Sequence, residues 1–412
     1  MGIGVNARTA FSLFFPPILT EFGWDRGVIA GAFSFGFFIA AILGPLLGRM
    51  MDRHGPRIAI EIGVAVTGCG LLLAALASQP WHLYATLGVL IGVGSMMLGY
   101  TGHSLFLPNW FVRRRGLAMS IAFSGVGVGS IVLMPALQIT IEHSGWRAAC
   151  VAMGMLVLVM LIPLNLLLRR RPEDLGTGPD GDLNVSASSA ARQHDNVVDT
   201  AWTAIDWTLR RALRTSRFWW IALGYSSGMY AWYAVQVHQT KYLLEVGFSG
   251  VYAAWALGFV SFVAIPGQIA LGHISDRIGR EWVWTVGCAG FVFCYAALLL
   301  MREIPHPALL WFMVISQGML GYGVTSVFGA IPAEIFQGRQ YGTIFGTLST
   351  AAMAGGALGP WVTGALYDAT GTYTIAFCIA LGCSALSALC IWRAAPRQIR
   401  AVAGRIGRRH GN

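Results

Sequence analysis

Charge is scarce in this sequence: Asp, Glu, Lys and Arg make up 11% of 412 residues, against 56% in the apolar set. A soluble chain usually carries about a quarter charged residues. The deficit excludes an ordinary water-soluble domain, because the apolar residues run on in stretches able to cross a hydrocarbon core of about 30 Å. Lysine is nearly absent, with Lys241 the only one. No G-x-x-x-x-G-K-[ST] loop exists, which excludes ATP-driven pumping by this chain alone. Cysteines Cys69, Cys150, Cys288, Cys294, Cys378, Cys383 and Cys390 lie in apolar runs without metal-ligand spacing, so buried structural thiols are expected, with no metal and no cofactor. A basic segment ahead of the first apolar run is also missing. Met1-Gly2-Ile3-Gly4-Val5 leads straight into it, so no cleavable signal peptide is read, and the first helix is either short or begins upstream.

What is present is a series of apolar runs separated by turn signals. They predict twelve spans, at 2–22, 27–49, 57–78, 82–109, 115–140, 146–168, 217–244, 250–272, 281–301, 306–334, 340–366 and 372–392. The expected fold is therefore an all-α membrane protein of twelve transmembrane helices. It divides into a six-helix bundle over 1–168, a linker over 169–216, a second six-helix bundle over 217–395 and a basic tail over 396–412. The linker's middle is rich in Gly, Ser, Asp and Asn and reads as flexible. Near its end Trp202, Ile205, Leu209 and Leu213 fall at helical spacing beside Arg210, Arg211 and Arg214, predicting an amphipathic helix on the membrane surface.

The formal net charge of +10 would suit nucleic acid only if it formed one face. Instead the arginines cluster between apolar runs. One side holds Arg49, Arg53 and Arg57, Arg113 to Arg115, Arg169 to Arg171, Arg277 and Arg280, Arg339, and the tail from Arg393 to Arg409. The other holds Arg26, Arg147 and Arg302. Positive-inside asymmetry places the rich side, both termini and the linker in the cytoplasm, with a bacterial inner membrane as the expected setting.

The halves repeat. Shifted by 224 positions, Gly48, Asp52, Arg53 and Gly55 meet Gly272, Asp276, Arg277 and Gly279. With small slips Met97-Leu98-Gly99-Tyr100 meets Met319-Leu320-Gly321-Tyr322, and Gly116, Pro135 and Gly145 meet Gly342, Pro360 and Gly371. Two parallel six-helix repeats imply alternating access, with substrate held between them near the midplane.

Gly48-Arg49-Met50-Met51-Asp52-Arg53-His54-Gly55-Pro56-Arg57 matches G-x-x-x-D-R-x-G-x-R, and its half-copy runs from Gly272 to Arg280. On these residues the chain resembles the major facilitator superfamily along its whole length. Either aspartate can accept bonds from an arginine and from a helix N-terminus of the opposing half, latching the cytoplasmic side shut in one state. Gly48, Asp52, Arg53, Gly55, Arg57, Arg113, Asp276 and Arg277 are the candidate latch residues. Within the superfamily, the stretch from Trp110 to Gly125, with Arg113-Arg114-Arg115 ahead of Leu117-Ala118, resembles monocarboxylate transporters and their oxalate–formate exchanger relatives. The acidic–glycine–tryptophan signature of that family's first helix is absent here, and 253–271 lacks the arginine its eighth helix uses.

The resemblance implies that helices 1, 4, 7 and 10 line the cavity, and buried polar groups there are the candidates for substrate. Arg8, on a face with Ser12, would lie roughly 21 Å below the outer surface at 1.5 Å per residue. A charge that deep is costly unless it meets an anion, water or a buried partner. His103, beside Tyr100, could bind an anion or carry a proton, and Tyr322 and Thr325 are its counterparts in the repeat. Helix 7 offers Tyr230, Tyr233, His238 and Lys241 at helical spacing, and a buried lysine, unlike arginine, can lose its proton. The middles of the cavity helices carry no acid, so the cavity should attract anions. The expected function is secondary active transport of a small organic anion such as a monocarboxylate, with a proton or counter-anion as coupling species. The protein is expected to work as a monomer, to bind no nucleic acid and not to be an enzyme, since no nucleophile–base–acid set converges. Export of amphipathic drugs or metabolites is the alternative, and a transporter-like sensor the remote one.

Overall fold

The computed structural model describes residues 1–24, 26–169, 172–181 and 197–402. Among them are twelve spans: Gly2–Thr9 with Phe11–Phe22, Arg26–His54, Pro56–Ala74, Pro80–Trp110, the two arms of Arg115–Leu166, Ser216–Glu245, Gly250–Ile278, Arg280–Met301, Pro307–Ile335, Tyr341–Thr370 and Thr374–Ala394. They are spans 1 to 12 below. Spans 5 and 6 hinge at Gly145, whose φ of 83° only glycine adopts readily. Gly55 and Gly279 also have positive φ and make the same turn after spans 2 and 8, a backbone trace of the repeat.

Eight described stretches are apolar and long enough to cross a membrane by composition alone, and one of them holds spans 5 and 6 together. Spans 1, 7 and 11 fall outside that group because breaks or polar residues interrupt them: Asn6 and Arg8, Gln236 to Lys241, and the threonines of span 11. Spans expected to be regular are not. Span 4 widens into π turns over Tyr84–Leu90 and breaks at Gly99 (φ −96°, ψ −158°). Span 10 has π turns over Ser316–Leu320 and a 3₁₀ turn at Gly321–Gly323. The break at Gly99 directly precedes Tyr100, and the 3₁₀ turn contains Tyr322, the two tyrosines that the repeat pairs. Such departures from the α ladder recur at functional places in helices.

The halves meet through span 2 on span 11 and span 5 on span 8. Glycine permits both approaches. A Cβ on Gly48 would stand 1.9 Å from the Gly342 carbonyl oxygen, and one on Gly272 would stand 2.6 Å from that of Gly116. Gly116 and Gly342 are themselves repeat partners, so the same glycine pair is used twice.

Two expectations need correction. The linker's end is not one amphipathic helix but two one-turn helices, Thr200–Thr203 and Leu209–Ala212, capped by the Asp199 and Thr208 side chains. It packs on the protein rather than on lipid alone: Trp202 Nε1 donates to the Ile335 carbonyl at 2.8 Å, and Trp207 meets Phe336 edge-on at 5.1 Å. The linker's middle, 182–196, and the tail beyond 402 lie outside the described residues. The cysteines are not all buried either. Cys69 and Cys378 are exposed on span surfaces, where the surroundings of a membrane protein are as apolar as a core.

Candidate functional site

At the arginine-rich end the repeated aspartates reach across the halves in the same way. Asp52, at the foot of span 2, accepts from the Gly342 and Thr343 backbone N–H groups at 2.8 and 2.9 Å and from the Thr343 hydroxyl at 2.8 Å. Asp276, at the foot of span 8, accepts from the Gly116 and Leu117 N–H groups, both at 3.0 Å. Each carboxylate thereby caps the positive N-terminus of a helix in the other half. The second is the more deeply buried, and Arg280 adds a 2.6 Å bond to it while donating to Glu334 at 2.8 Å. Arg115 lies beside this group, buried, donating to the Pro108 and Phe111 carbonyls at 3.1 and 3.2 Å. Tyr341 closes the gap between spans 4 and 10, its hydroxyl donating toward the Ser104 and Gly329 carbonyl oxygens at 3.2 and 2.9 Å.

The candidate arginines of this region have another place. Arg53, Arg57 and Arg277 are exposed, and Arg113 faces Asp180 of the linker at 3.6 Å. At Asp276 the guanidinium engaged is that of Arg280, four residues on, where the i,i+4 spacing was the signal available.

Near the middle, five spans bring one residue each toward a common region. Arg8, in the last turn of Gly2–Thr9, lays its guanidinium 3.6 Å from the centroid of the Phe37 ring of span 2. Tyr233 of span 7 meets the same ring edge-on at 5.8 Å and is within Coulombic reach of Arg8. Tyr100 of span 4 and Tyr322 of span 10 are within reach of Tyr233 in turn. Trp232 stacks on Tyr322 at 4.0 Å, and Phe123 meets Tyr100 edge-on at 4.9 Å, so the phenols are held from behind by aromatic faces. Asn6 points away from Arg8 into span 5. It donates to the Val126 carbonyl at 3.0 Å and accepts from Ser130 at 2.7 Å, fixing the rotation of span 1 that aims Arg8 inward. Arg8 thus sits as a permanent cation against the Phe37 face with the Tyr233 phenol nearby, which suits a planar anion.

The remaining candidates divide. His103 is half-buried, with Nδ1 3.0 Å from the Gly99 carbonyl oxygen, which also accepts the His103 backbone N–H at 3.1 Å. The Thr325 hydroxyl donates back to the Tyr322 carbonyl at 2.7 Å. Ser12 belongs to Phe11–Phe22, but its side chain lies outside the described residues. Tyr230 turns toward Thr363 of span 11. His238 stands 3.0 Å from the Pro360 carbonyl oxygen and 3.3 Å from the Tyr373 hydroxyl. Burial pushes that phenol, in the turn after span 11, up to about 12, so it remains a donor. Lys241 is exposed, 4.6 Å over the Tyr367 ring and 3.9 Å from Glu245. His238 and Lys241 therefore do not face Arg8. At about 100° per residue, Tyr233 and His238 are separated by roughly 140° around the helix, so one can face the cavity while the other packs within its own half. The residues not anticipated are Phe37, Trp232, Arg115 and Arg280. An aromatic in a span has no spacing signature of its own, whereas Arg280 had its i,i+4 spacing from Asp276.

The family model described as Major Facilitator Superfamily matches residues 2–329. Among named relatives, monocarboxylate transporter 12 of Rattus norvegicus is 27% identical over 384 residues, covering 89% of this chain and 77% of its own length. Monocarboxylate transporter 13 of Bos taurus is 27% identical over 378 residues, covering 90% and 81%. Among solved structures, the E. coli fucose:proton symporter FucP superposes with a TM-score of 0.71 at 14% identity, over 95% of this chain and 96% of that one. The proton:xylose symporter XylE gives the same TM-score and identity over 95% and 93%.

Proposed function

Since the chain belongs to the major facilitator superfamily, we propose that it moves a small organic anion, a monocarboxylate first among them, across the membrane by alternating access. It is a multi-pass membrane transporter and not an enzyme. The observation carrying the anion reading is Arg8 over Phe37, with Tyr233 beside it and Tyr100 and Tyr322 beyond. A carboxylate accepts two parallel bonds from a guanidinium, and phenol hydroxyls can donate to its remaining lone pairs. The named relatives point to the same substrate class.

In this reading Asp52 and Asp276 hold the arginine-rich end shut while substrate enters from the other side. Binding releases the latches, the halves rock, and the site opens to the arginine-rich end. That end lies in the cytoplasm with both termini. A cysteine at the exposed position Asp206, in a background without the native cysteines, should resist an impermeant maleimide in intact cells; ready labelling reverses the orientation. The coupling species is a proton or a counter-anion, and His103 is the group in the path suited to carry a proton.

The test is uptake into proteoliposomes of labelled formate, acetate, lactate and pyruvate, with and without an inward proton gradient. Accumulation of at least one, competed by the others, is expected. The aromatic surroundings favour one competing reading, transport of amphipathic compounds. Uptake of a lipophilic cation with no carboxylate transported would replace the anion proposal by that one.

A further inference from the structure

Away from the path between the halves, the head of span 5 holds a cavity of about 640 Å³. Its rim is Arg113, Arg114 and Asp180, and its floor includes Phe111, Leu117 and Ile121. Both arginines are exposed; Arg113 keeps 51% of its side chain accessible even while paired with Asp180 at 3.6 Å. The corner already receives one anionic group of the chain itself: Asp180 Oδ2 accepts from the Val112 and Arg113 backbone N–H groups at 3.2 and 2.9 Å. Arg114 brings a second exposed guanidinium to the rim beside that pair. Along span 5 from this rim, Ile121, Val128 and Val132 are 56%, 53% and 63% exposed. Their spacing of seven and four puts them on one face of the helix. This outer face is not the one that packs on span 8, where Gly116 and Ser120 meet Gly272.

A cationic rim at the membrane boundary, continued by an apolar stripe along the span, has the shape of a lipid rather than of a soluble anion. We propose that this cavity seats one anionic phospholipid from the leaflet at the arginine-rich end. Its phosphodiester lies on Arg113 and Arg114 and one acyl chain runs along Ile121, Val128 and Val132. Basic pockets of this kind at helix ends select anionic headgroups, and a guanidinium pairs with phosphate in two bonds at once. The site borders the latch. Gly116 and Leu117, whose N–H groups hold Asp276, follow these arginines after Arg115 alone, so a seated headgroup braces the helix end that the latch caps.

The experiment is thermal unfolding of the delipidated full chain in neutral detergent at fixed ionic strength. Phosphatidylglycerol, phosphatidylcholine or inorganic phosphate is added in parallel. Phosphatidylglycerol should raise the melting temperature, and the other two should not. R113Q/R114Q should lose most of that rise, whereas R210Q/R211Q, at another exposed basic pair, should keep it. In native mass spectrometry the wild type should retain phosphatidylglycerol and Ile121→Asn should retain less, a readout that stands even if the double arginine variant cannot be purified. A full phosphatidylglycerol effect in R113Q/R114Q, unchanged retention in Ile121→Asn, or an equal rise with phosphate alone would each overturn the proposal.

Discussion

The two aspartate latches occupy equivalent positions in the repeat, yet they are built from different materials. Asp52 holds span 11 with two backbone donors and one hydroxyl, and it is only partly buried. Asp276 holds span 5 with two backbone donors, but it sits in a buried group with Arg280, Ser275 and Glu334. The backbone geometry is the conserved part: a carboxylate at the foot of one helix capping the N-terminus of another, over a glycine–glycine contact. The side-chain chemistry is free to differ. A buried ion pair is costly to break from one side, because its partner charge is stranded. Arg280 and Glu334 belong to the same half as Asp276, so they fix that carboxylate in place rather than bridge the halves; the C-terminal latch should be the stiffer of the two, and the N-terminal latch the one that yields first.

The largest test of that asymmetry is Asp276→Asn, which leaves Arg280 with half its acidic partners. It should cost the closed state about 3–5 kcal/mol. Thermal melting of the purified chain should fall, and a disulfide placed across the arginine-rich end should form more slowly. Asp52→Asn leaves the three bonds to span 11 with a neutral acceptor, and the loss should be about 1.5–3 kcal/mol for its charged hydrogen bonds. Transport should slow while ligand-induced thermal stabilisation persists. A larger loss for Asp52→Asn than for Asp276→Asn would reverse the ranking. Next come the glycines. A Cβ at Gly48 would stand 1.9 Å from the nearest backbone atom, the Gly342 carbonyl oxygen, whereas at Gly272 the nearest backbone atom, the Gly116 carbonyl oxygen, is 2.6 Å away. Gly48→Ala should cost about 1–3 kcal/mol by overpacking, and Gly272→Ala less, read as the difference in melting temperature. The smallest effect belongs to Thr343→Val, which removes one donor from Asp52 and should cost about 1 kcal/mol.

The fold was legible because apolar run length, arginine clustering and a repeated polar motif all carry period or position. The span limits read from these agree with the helices to within a few residues through most of the chain: 217–244 against Ser216–Glu245, 281–301 against Arg280–Met301. The linker misled because Trp202, Ile205, Leu209 and Leu213 follow helical spacing while two capping residues, Asp199 and Thr208, start separate turns; those caps were there to be read. In the site, Arg8 and the tyrosines were identifiable as polar groups in cavity spans. Which way His238 and Lys241 face depends on helix rotation, and that is set by contacts such as Asn6 with Ser130 or His238 with Pro360. Residue spacing fixes relative angles along one helix but not the absolute rotation of that helix in the bundle. Phe37 shows the same limit, since nothing local distinguishes the phenylalanine under Arg8 from those facing lipid.

The claim on which the functional reading depends is that Arg8 receives the substrate's carboxylate, and the direct measurement is substrate affinity in Arg8→Lys. Lysine keeps the charge and the membrane insertion but cannot offer the planar pair of bonds. Affinity of the purified protein for a transported monocarboxylate should fall by about 1–3 kcal/mol, or roughly 5- to 150-fold. Arg8→Ala should lose at least as much. Affinity unchanged in both variants would contradict the account and place the anion elsewhere in the path.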